Sequence, residues 1–483
     1  MSTISGTAAR GAGVTFAAQG ARFVLQIGSL AVLSRLLTPS EVGIVAMVTA
    51  VLNVAEIVRD FGLSSAAIQA PRLSAAERTN LFWINLGIGT ACSVVAAACA
   101  PLLGAVYGDP RIVPIVLALA WLFVVSGANT QYRADLSRSL RFSALALTDV
   151  AAQVLGIAVA IVCAVSGAGY WSIVAQQATF VVTTCLMNVA QVRWRPGRPR
   201  RDVPMRHFTR FGANLLGTNL LGYAVNNLDN VGIGAVWGSG PLGLYSRAYQ
   251  LLQVPLQQVN APLGRVVLPI LSKVQDDPVR YERYFRRFQL VICYSLGLGF
   301  AVLAGLSQPI VAILFGPSWQ GVAPLLGVLA LSGVFKGIDS ANYQMWVSRG
   351  FASQLFKFYL VSRPIMVVMI LAGLPWGPLG VAVGQLVVAV LHWAVSLRIV
   401  CRLADIDARP LFAQSARALL LVILPAGLLA WVGTSLLSDP VASLATGTAM
   451  SVAWVAVAAL VLPWVRRDLE PVVATSRSLA ARR

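Results

Sequence analysis

Long runs of apolar residues recur from one end of this 483-residue chain to the other, and they constrain its fold more than any other feature. Each run holds about 20 residues, which as a helix is long enough to cross the roughly 30 Å hydrocarbon core of a bilayer. A soluble fold is excluded because 57% of the residues are hydrophobic and only 11% are charged, too few to cover a water-facing surface. The sequence therefore predicts an all-α integral membrane protein.

The number of apolar windows predicts fourteen transmembrane helices. The windows fall at residues 14–37, 41–66, 80–105, 111–131, 143–165, 169–192, 209–236, 241–270, 288–308, 320–338, 352–374, 377–398, 414–436 and 441–465.

The basic residues lie mostly in alternate loops. Lys and Arg number 37 against 18 Asp and Glu, which gives a formal charge of +19, and Arg111 is the one clear basic residue in the odd-numbered loops. The positive-inside rule then predicts a multi-pass protein with both termini in the cytoplasm. The charge is interpreted as a topology signal with a secondary role in contacts to anionic lipids, and nucleic-acid binding is not expected.

Patterns typical of cofactor sites and of catalysis are missing from the sequence. The six cysteines fall in or beside apolar segments without a CxxC pair, and the two histidines, His207 and His392, have no ligand cluster around them in the sequence. There is no GxxxxGK[ST] segment and no convergent acid, base and nucleophile. We expect no metal, no cofactor and no enzymatic activity, with any energy source external to this chain.

The basic, proline-rich segment RWRPGRPRRDVPMR separates two halves that resemble each other. Arg141 matches Arg349, and the segment Gly169–Gln177 matches Gly377–Gln385, both at an offset of 208 residues. Six spans per half give a parallel repeat, an arrangement typical of transporters with a substrate site at the repeat interface. The predicted organisation is an N-terminal lobe (1–192), a cytoplasmic basic linker (193–208), a C-terminal lobe (209–400), two further spans (401–465) and a cytoplasmic basic tail (466–483).

Polar residues inside the predicted spans recur at helical spacing, as they do where helices line a polar interior. The candidate substrate-binding residues are Gln19, Arg22 and Gln26 in span 1, Asn53 in span 2, Asn219, Tyr223, Asn226, Asn227 and Asn230 in span 7, and Arg247, Gln250, Gln253 and Gln257 in span 8. We interpret them as the lining of a hydrated central cavity, whose amides suit sugar hydroxyls and whose two arginines suit phosphate. The alternative interpretation is hydrogen bonding between helices.

Three acidic residues, Glu56, Asp60 and Asp229, are candidates for binding a coupling ion. Arg59 follows Glu56 by three residues and is positioned to neutralise it. Arg22 and Arg247 each need an anion, supplied either by Glu56 and Asp229 or by the substrate. Other charges near the cytoplasmic ends, Asp149, Lys336 and Asp339, are expected to be paired or to reach the interface.

Three segments carry a family resemblance: LSRLLTPSEVGIVAMV, DFGLSSAAIQ and NNLDNVGIGAVWGSGPLGLYSRAYQLLQVPLQQ. Over about residues 10–410 the chain resembles the polysaccharide transporter family of the MOP flippase superfamily, and most of all the Wzx-type oligosaccharide flippases. The resemblance implies two six-helix lobes in a V around a cationic cavity, and alternating access. It implies export of undecaprenyl-pyrophosphate-linked oligosaccharide repeat units across the bacterial inner membrane for lipopolysaccharide, capsule or exopolysaccharide synthesis.

The implied partners are membrane lipids, the polysaccharide polymerase and the export machinery. Two alternatives stay open at this point. An ion-coupled antiporter of drugs or cations on the same fold needs a buried carboxylate pair, for which Asp60 and Asp229 are the candidates. A polysaccharide polymerase predicts large periplasmic loops with arginines and histidines, and the loops here are short and nearly uncharged.

Overall fold

The structure, a computed structural model, describes residues 2–69 and 73–468, apart from the side chains of residues 2–18, 69, 210–215, 217–226, 259–263 and 265–266. The protein is 87% helical, and no β-strand occurs in the described ranges. The chain divides into two compact units, Met1–Gly243 and Leu244–Arg483. The predicted all-α class is confirmed, whereas the count of fourteen spans, the repeat and the predicted lobe boundaries stay predictions.

The helices that begin in the first unit follow one another through short turns, except for the longer segment between α8 and α9. They are α1 (Ser2–Leu36), α2 (Pro39–Asp60), α3 (Leu63–Gln69), α4 (Ala75–Tyr107), α5 (Ile112–Ala120), α6 (Leu122–Arg138), α7 (Phe142–Val165), α8 (Trp171–Val192), α9 (Arg206–Trp237) and α10 (Ser239–Lys273), which continues into the second unit.

The second unit continues in the same way, with π-helical turns at Cys293–Gly297 and Leu419–Ile423. Its helices after α10 are α11 (Pro278–Ile292), α12 (Leu298–Gly305), α13 (Ser307–Leu314), α14 (Val322–Ser348), α15 (Ala352–Leu371), α16 (Gly377–Leu403), α17 (Ala408–Ala418), α18 (Leu424–Ser435) and α19 (Pro440–Val461).

Length and apolar character make ten helical stretches among the described residues candidate membrane spans, and one of them, Ala352–Leu403, contains both α15 and α16. Large apolar side chains such as Val94, Leu102, Val368 and Leu460 are exposed on the outside of these helices. Side chains that face lipid have this character, because hydrocarbon replaces water as the solvent there. The chain is a multi-pass membrane protein.

Two helices of the first unit begin with the same local signal. At α2, Thr38 accepts a hydrogen bond from the Glu41 amide while the Glu41 carboxylate accepts one from the Thr38 amide at 2.8 Å. At α4, Ser74 and Glu77 form the same reciprocal pair. Each arrangement satisfies amides that a helix start leaves without intrahelical partners, so these helices begin where the sequence places a Ser or Thr three residues before a Glu.

The start of α10 lies directly against α2 within the first unit. A Cβ on Gly43 would lie 1.7 Å from the Ser239 carbonyl oxygen, and one on Gly243 would lie 1.9 Å from the Pro39 carbonyl oxygen. The Ser40 and Ser239 hydroxyls are 2.9 Å apart at the same crossing. Glycine at both positions lets the two backbones approach this closely.

The basic segment predicted as a linker has no regular secondary structure over residues 193–200, and it lies on α4. Asn80 donates to the Arg200 carbonyl at 2.7 Å and accepts from the Arg200 amide at 2.8 Å. The Trp83 indole donates to the Gly197 carbonyl at 2.8 Å. Arg78 covers the Trp194 ring at 4.1 Å, so three side chains of α4 hold the segment in place.

Candidate substrate and ion sites

The first unit contains a polar cavity of about 410 Å³. Most of its polar lining comes from α2 and α6, and α8 adds an apolar side. The lining residues are Glu56, Arg59, Asp60, Ser64, Ile68, Ser126, Asn129, Thr130, Arg133, Ala134, Ser137, Phe180, Val181 and Thr184. The structure thus brings together two of the predicted ion-site residues, Glu56 and Asp60.

Arg59 is buried at one wall of this cavity and links α2 to α6. Its guanidinium donates to both Glu56 carboxylate oxygens, at 2.7 and 3.0 Å, and to the Thr130 hydroxyl at 2.6 Å. A further bond of 3.3 Å reaches the Ser126 carbonyl. The expected neutralisation of Glu56 by Arg59 is confirmed, and the bidentate geometry is the one in which arginine binds carboxylates most strongly.

Asp60, at the end of α2, has a different environment in the same cavity. It accepts a hydrogen bond from Ser64 at 2.8 Å, and among the described residues it forms no ion pair. The Asp60 carboxylate in this cavity is therefore not neutralised by an ion pair with a described arginine or lysine.

Arg22 and Arg133 share one carboxylate, that of Asp149 on α7. Arg22 on α1 donates to Asp149 at 3.1 Å, and Arg133 on α6 donates to both of its oxygens at 2.8 and 3.0 Å. The Asp149 side chain is 8% exposed, whereas those of Arg22 and Arg133 are 43% and 45% exposed. Two guanidiniums and one carboxylate leave a surplus of one positive charge, with hydrogen-bonding capacity still directed outward.

This cluster corrects one expectation and confirms another. The structural partner of Arg22 is Asp149, not Glu56, because Glu56 is already held by Arg59. The expected pairing of Asp149 is confirmed. The sequence analysis missed Arg133, although its spacing from Asn129 and Thr130 places all three on one face of α6.

The other predicted substrate residues of the first unit lie outside the lining of this cavity. Gln19 is half-buried on α1, Gln26 and Asn53 are exposed, and Asn227 and Asn230 are half-buried on α9. Asp229 is buried, and one of its oxygens accepts the Asn230 amide at 2.8 Å. The side chains of Asn219, Tyr223 and Asn226 lie outside the described residues. Substrate binding by any of these residues stays a prediction.

Arg247 is the buried arginine of α10 in the second unit, with 6% of its surface exposed. Its guanidinium donates to Gln250 at 3.0 Å and lies 5.8 Å from the Trp319 ring centroid. It has no ion pair with a described carboxylate, and its Nε atom is buried without a described hydrogen-bond partner. One turn further, Gln253 donates to the Tyr249 hydroxyl at 2.8 Å, while Gln250 and Gln257 are exposed.

Charged residues deeper in the second unit are paired, as expected. Lys336 donates to Gln385 at 2.8 Å, and Asp339 lies 3.0 Å from His392. The contact between Asp339 and His392 could not be predicted from local patterns, because the two residues are 53 positions apart on different helices. No group of three potential metal ligands occurs among the residues described.

The fold is similar to that of a solved membrane protein. A structure of the lipid II flippase MurJ in an inward closed conformation superimposes with a TM-score of 0.68, covering 94% of this chain and 99% of that one at 13% identity. The chain belongs to the family of polysaccharide biosynthesis proteins, whose family model matches residues 32–324. The family resemblance drawn from the sequence motifs is confirmed.

Two relatives extend this comparison over most of the chain. The lipopolysaccharide biosynthesis protein WzxC of Escherichia coli K12 is 25% identical over 382 residues, which is 77% of this chain and 76% of WzxC. The succinoglycan biosynthesis transport protein ExoT of Rhizobium meliloti is 25% identical over 333 residues, 69% of this chain and 67% of ExoT.

Proposed function

We propose that the protein is a flippase that moves undecaprenyl-pyrophosphate-linked oligosaccharide repeat units across the bacterial inner membrane. The polymer it serves is a lipopolysaccharide, capsule or exopolysaccharide, and the transport works by alternating access without a chemical step. Family membership and the transporter fold support this class of function. The observation that carries the proposal is the surplus of arginine in the polar interior of an otherwise apolar chain.

A pyrophosphate-linked lipid has the chemistry to bind such arginines. Arg22 and Arg133 outnumber their shared carboxylate, and Arg247 is buried without a described carboxylate partner. A buried cation needs an anion, and guanidinium binds phosphate oxygens in pairs. The amides near these arginines, such as Gln250 and Gln253, suit the hydroxyls of the attached sugars.

The membrane arrangement that we propose has fourteen spans with both termini in the cytoplasm. The fourteen predicted windows fall on helical segments, and the windows 41–66, 111–131, 288–308 and 414–436 each contain residues of more than one helix. Cysteine substitution and labelling with an impermeant maleimide test this topology. We expect positions 201 and 283 to react only from the cytoplasm and positions 239 and 440 only from the periplasm; periplasmic labelling at 201 would contradict the orientation.

Arginine substitutions test the substrate role. We expect Arg22→Ala and Arg247→Ala to insert and accumulate normally, to lower polymer export at least about tenfold, and to leave lipid-linked repeat units in the cytoplasmic leaflet. A tenfold loss corresponds to about 1.4 kcal/mol, which is within the range for one charge-assisted hydrogen bond. Arg111→Ala, which removes a loop arginine paired with Asp109, is the matched control and should export normally.

A purely structural role for Arg22 predicts a different pattern. If Arg22 serves only to hold Asp149, then Asp149→Asn should lose polymer export to the same extent as Arg22→Ala. If Arg22 binds substrate, Asp149→Asn should retain export. Normal export by a stable Arg22→Ala, Arg247→Ala double variant would refute the pyrophosphate contact.

A further inference from the structure

A histidine and a carboxylate lie together inside the second unit, and the function proposed above does not use them. His392 on α16 and Asp339 on α14 are joined by a 3.0 Å contact from the imidazole Nδ1 to a carboxylate oxygen. Their side chains are 8% and 20% exposed. The other oxygen of Asp339 accepts from Asn342 at 2.9 Å, and Asn342 also donates to the Trp393 carbonyl at 3.1 Å. The carboxylate is therefore held in place from both sides.

The pair lies well inside its helices. At 1.5 Å per residue, His392 is about 17 Å from the end of α16 at Leu403, and Asp339 is about 14 Å from the end of α14 at Ser348. Both residues belong to stretches long and apolar enough to span a membrane. An ionisable pair at such a depth is costly, and in membrane proteins it marks a functional site by default.

One ring nitrogen of His392 has no hydrogen-bond partner among the residues that the structure describes. The Nε2 atom is buried and makes no hydrogen bond to a described residue. The ring lies against α15, with centroids 5.3 Å from Phe358 and 6.1 Å from Tyr359. A neutral imidazole that donates from Nδ1 to Asp339 has a lone pair on Nε2, which is the position where a proton can be added.

Proton uptake at this nitrogen forms one N–H bond, while one O–H bond of a hydronium ion from the solvent breaks and leaves water. It changes the charge of the His392 and Asp339 pair from −1 to 0. The new N–H donor would be buried beside two aromatic rings without an acceptor, a situation that folded proteins avoid. The protonated form therefore favours a different packing of α15 against α14 and α16.

The groups that surround the pair have partners of their own. On α14, Lys336 donates to Gln385 of α16 at 2.8 Å and lies 5.6 Å from the Tyr249 ring of α10. On α15, Arg363 covers the Tyr359 ring at 4.4 Å. From α17, the apolar side chain of Phe412 packs on Trp393. The one carboxylate in described contact with the imidazole is that of Asp339.

We propose that His392 and Asp339 form a proton-binding site of the second unit, through which proton uptake and release change the packing of α15 during transport. Histidine suits this role because imidazole is the side chain that ordinarily gains and loses its proton near neutral pH. Proton binding itself does not depend on the proposed flippase function, whereas its coupling to transport rests on that function.

The chain has two histidines, His207 and His392, so proton binding at His392 can be tested directly. The variant His207→Gln leaves His392 as the single histidine, and His207 is exposed on α9. The full-length protein, with a histidine-free affinity tag and ¹⁵N-labelled histidine, is placed in lipid nanodiscs and followed by NMR from pH 5 to 8.5. We expect one imidazole to titrate within this range. Asp339→Asn should move the midpoint by at least one pH unit, a tenfold change in proton affinity, and Asp276→Asn, at an exposed position, should not.

A His392 resonance that stays constant over the whole pH range would overturn the proton site. The same titration midpoint with and without Asp339→Asn would overturn it as well. Neither measurement requires replacing His392, so a folding defect of a His392 variant does not affect the test.

Coupling is tested separately in vesicles of phosphatidylethanolamine and phosphatidylglycerol that contain a fluorescent polyprenyl-diphosphate lipid. We expect a pH gradient to change the flipping rate of the wild type at least about fivefold. The flipping rate of His392→Gln, and that of Asp339→Asn as a second variant, should not change with the gradient. An equal gradient response in the wild type and in both variants would overturn the coupling role. If the wild type flips no lipid at all, the flippase function fails, and the NMR titration still decides whether the proton site exists.

Discussion

The crossing of α2 and α10 at Gly43 permits a sharp prediction about stability. Replacing Gly43 with alanine would place a Cβ 1.7 Å from the Ser239 carbonyl oxygen and 2.9 Å from the Gly243 amide nitrogen. Both neighbours are backbone atoms, so no side chain can rotate away. Since ordinary contact begins at 3.4 Å, the two helices must separate locally by about 1.7 Å.

That separation sets the size of the effect. It disturbs the hydrogen bond between Ser40 and Ser239 and the reciprocal close contact of Gly243 with Pro39. Overpacking of a tight contact typically costs about 1–3 kcal/mol, and a rigid backbone neighbour places Gly43→Ala at the upper end of that range. Replacing a helical glycine with alanine otherwise stabilises a helix by up to about 1 kcal/mol, so the two effects have opposite signs.

Gly87 on α4 is the matched control, because nothing lies within 4 Å of a Cβ added there. Thermal loss of monodisperse protein in detergent, measured by fluorescence-detected size exclusion, compares the two variants with the wild type. We expect Gly43→Ala to lower the midpoint by several degrees and Gly87→Ala to leave it unchanged or raise it slightly. A Gly43→Ala protein as stable as Gly87→Ala would refute the close backbone crossing.

Three further predictions concern charged groups of the first unit. Asp149→Asn removes the shared anion of two half-exposed arginines and should cost about 1–3 kcal/mol in thermal stability, whereas Asp276→Asn at an exposed position should cost nothing measurable. Arg59→Lys retains the charge but cannot reproduce the four hydrogen bonds of the guanidinium, so the same assay should show a loss of about 1–2 kcal/mol; an unchanged midpoint would contradict this. In the loop after α4, the hydrogen bond from Arg111 lowers the pKa of Asp109, so this pair stabilises the fold above the ordinary carboxylate pKa and the contribution disappears as pH falls through the lowered value. Asp109→Asn should therefore lower the thermal midpoint slightly at pH 7, and this difference should disappear as pH falls through the lowered pKa of Asp109.

Local sequence signals predicted the parts of this structure that depend on neighbouring residues. The spacing of three residues between Glu56 and Arg59 predicted their ion pair. The capping pairs at Thr38 and Ser74 are local signals of the same kind, from which two helix starts could have been predicted. The apolar windows predicted the spanning helices in the same way, because the hydrophobic thickness of a bilayer sets their length.

The partners of the buried charges could not be predicted in this way. Arg22 and Asp149 are 127 positions apart, and they meet because α1 packs on α7, which no local pattern states. Asp339 and His392 meet across α14 and α16 for the same reason. The α6 wall of the cavity could have been predicted from the helical spacing of Asn129, Thr130 and Arg133, although the predicted span 111–131 ends before Arg133.

The most direct test of the central claim is reconstitution of the purified protein with its proposed substrate. Vesicles of phosphatidylethanolamine and phosphatidylglycerol carry an undecaprenyl-pyrophosphate oligosaccharide with a fluorophore on the sugar, and an impermeant quencher reports how much of it faces outward over time. We expect the wild type to move the labelled lipid between leaflets at least about tenfold faster than protein-free vesicles, and the Arg22→Ala, Arg247→Ala double variant not to do so. Wild-type vesicles no faster than protein-free vesicles would contradict the proposed flippase function.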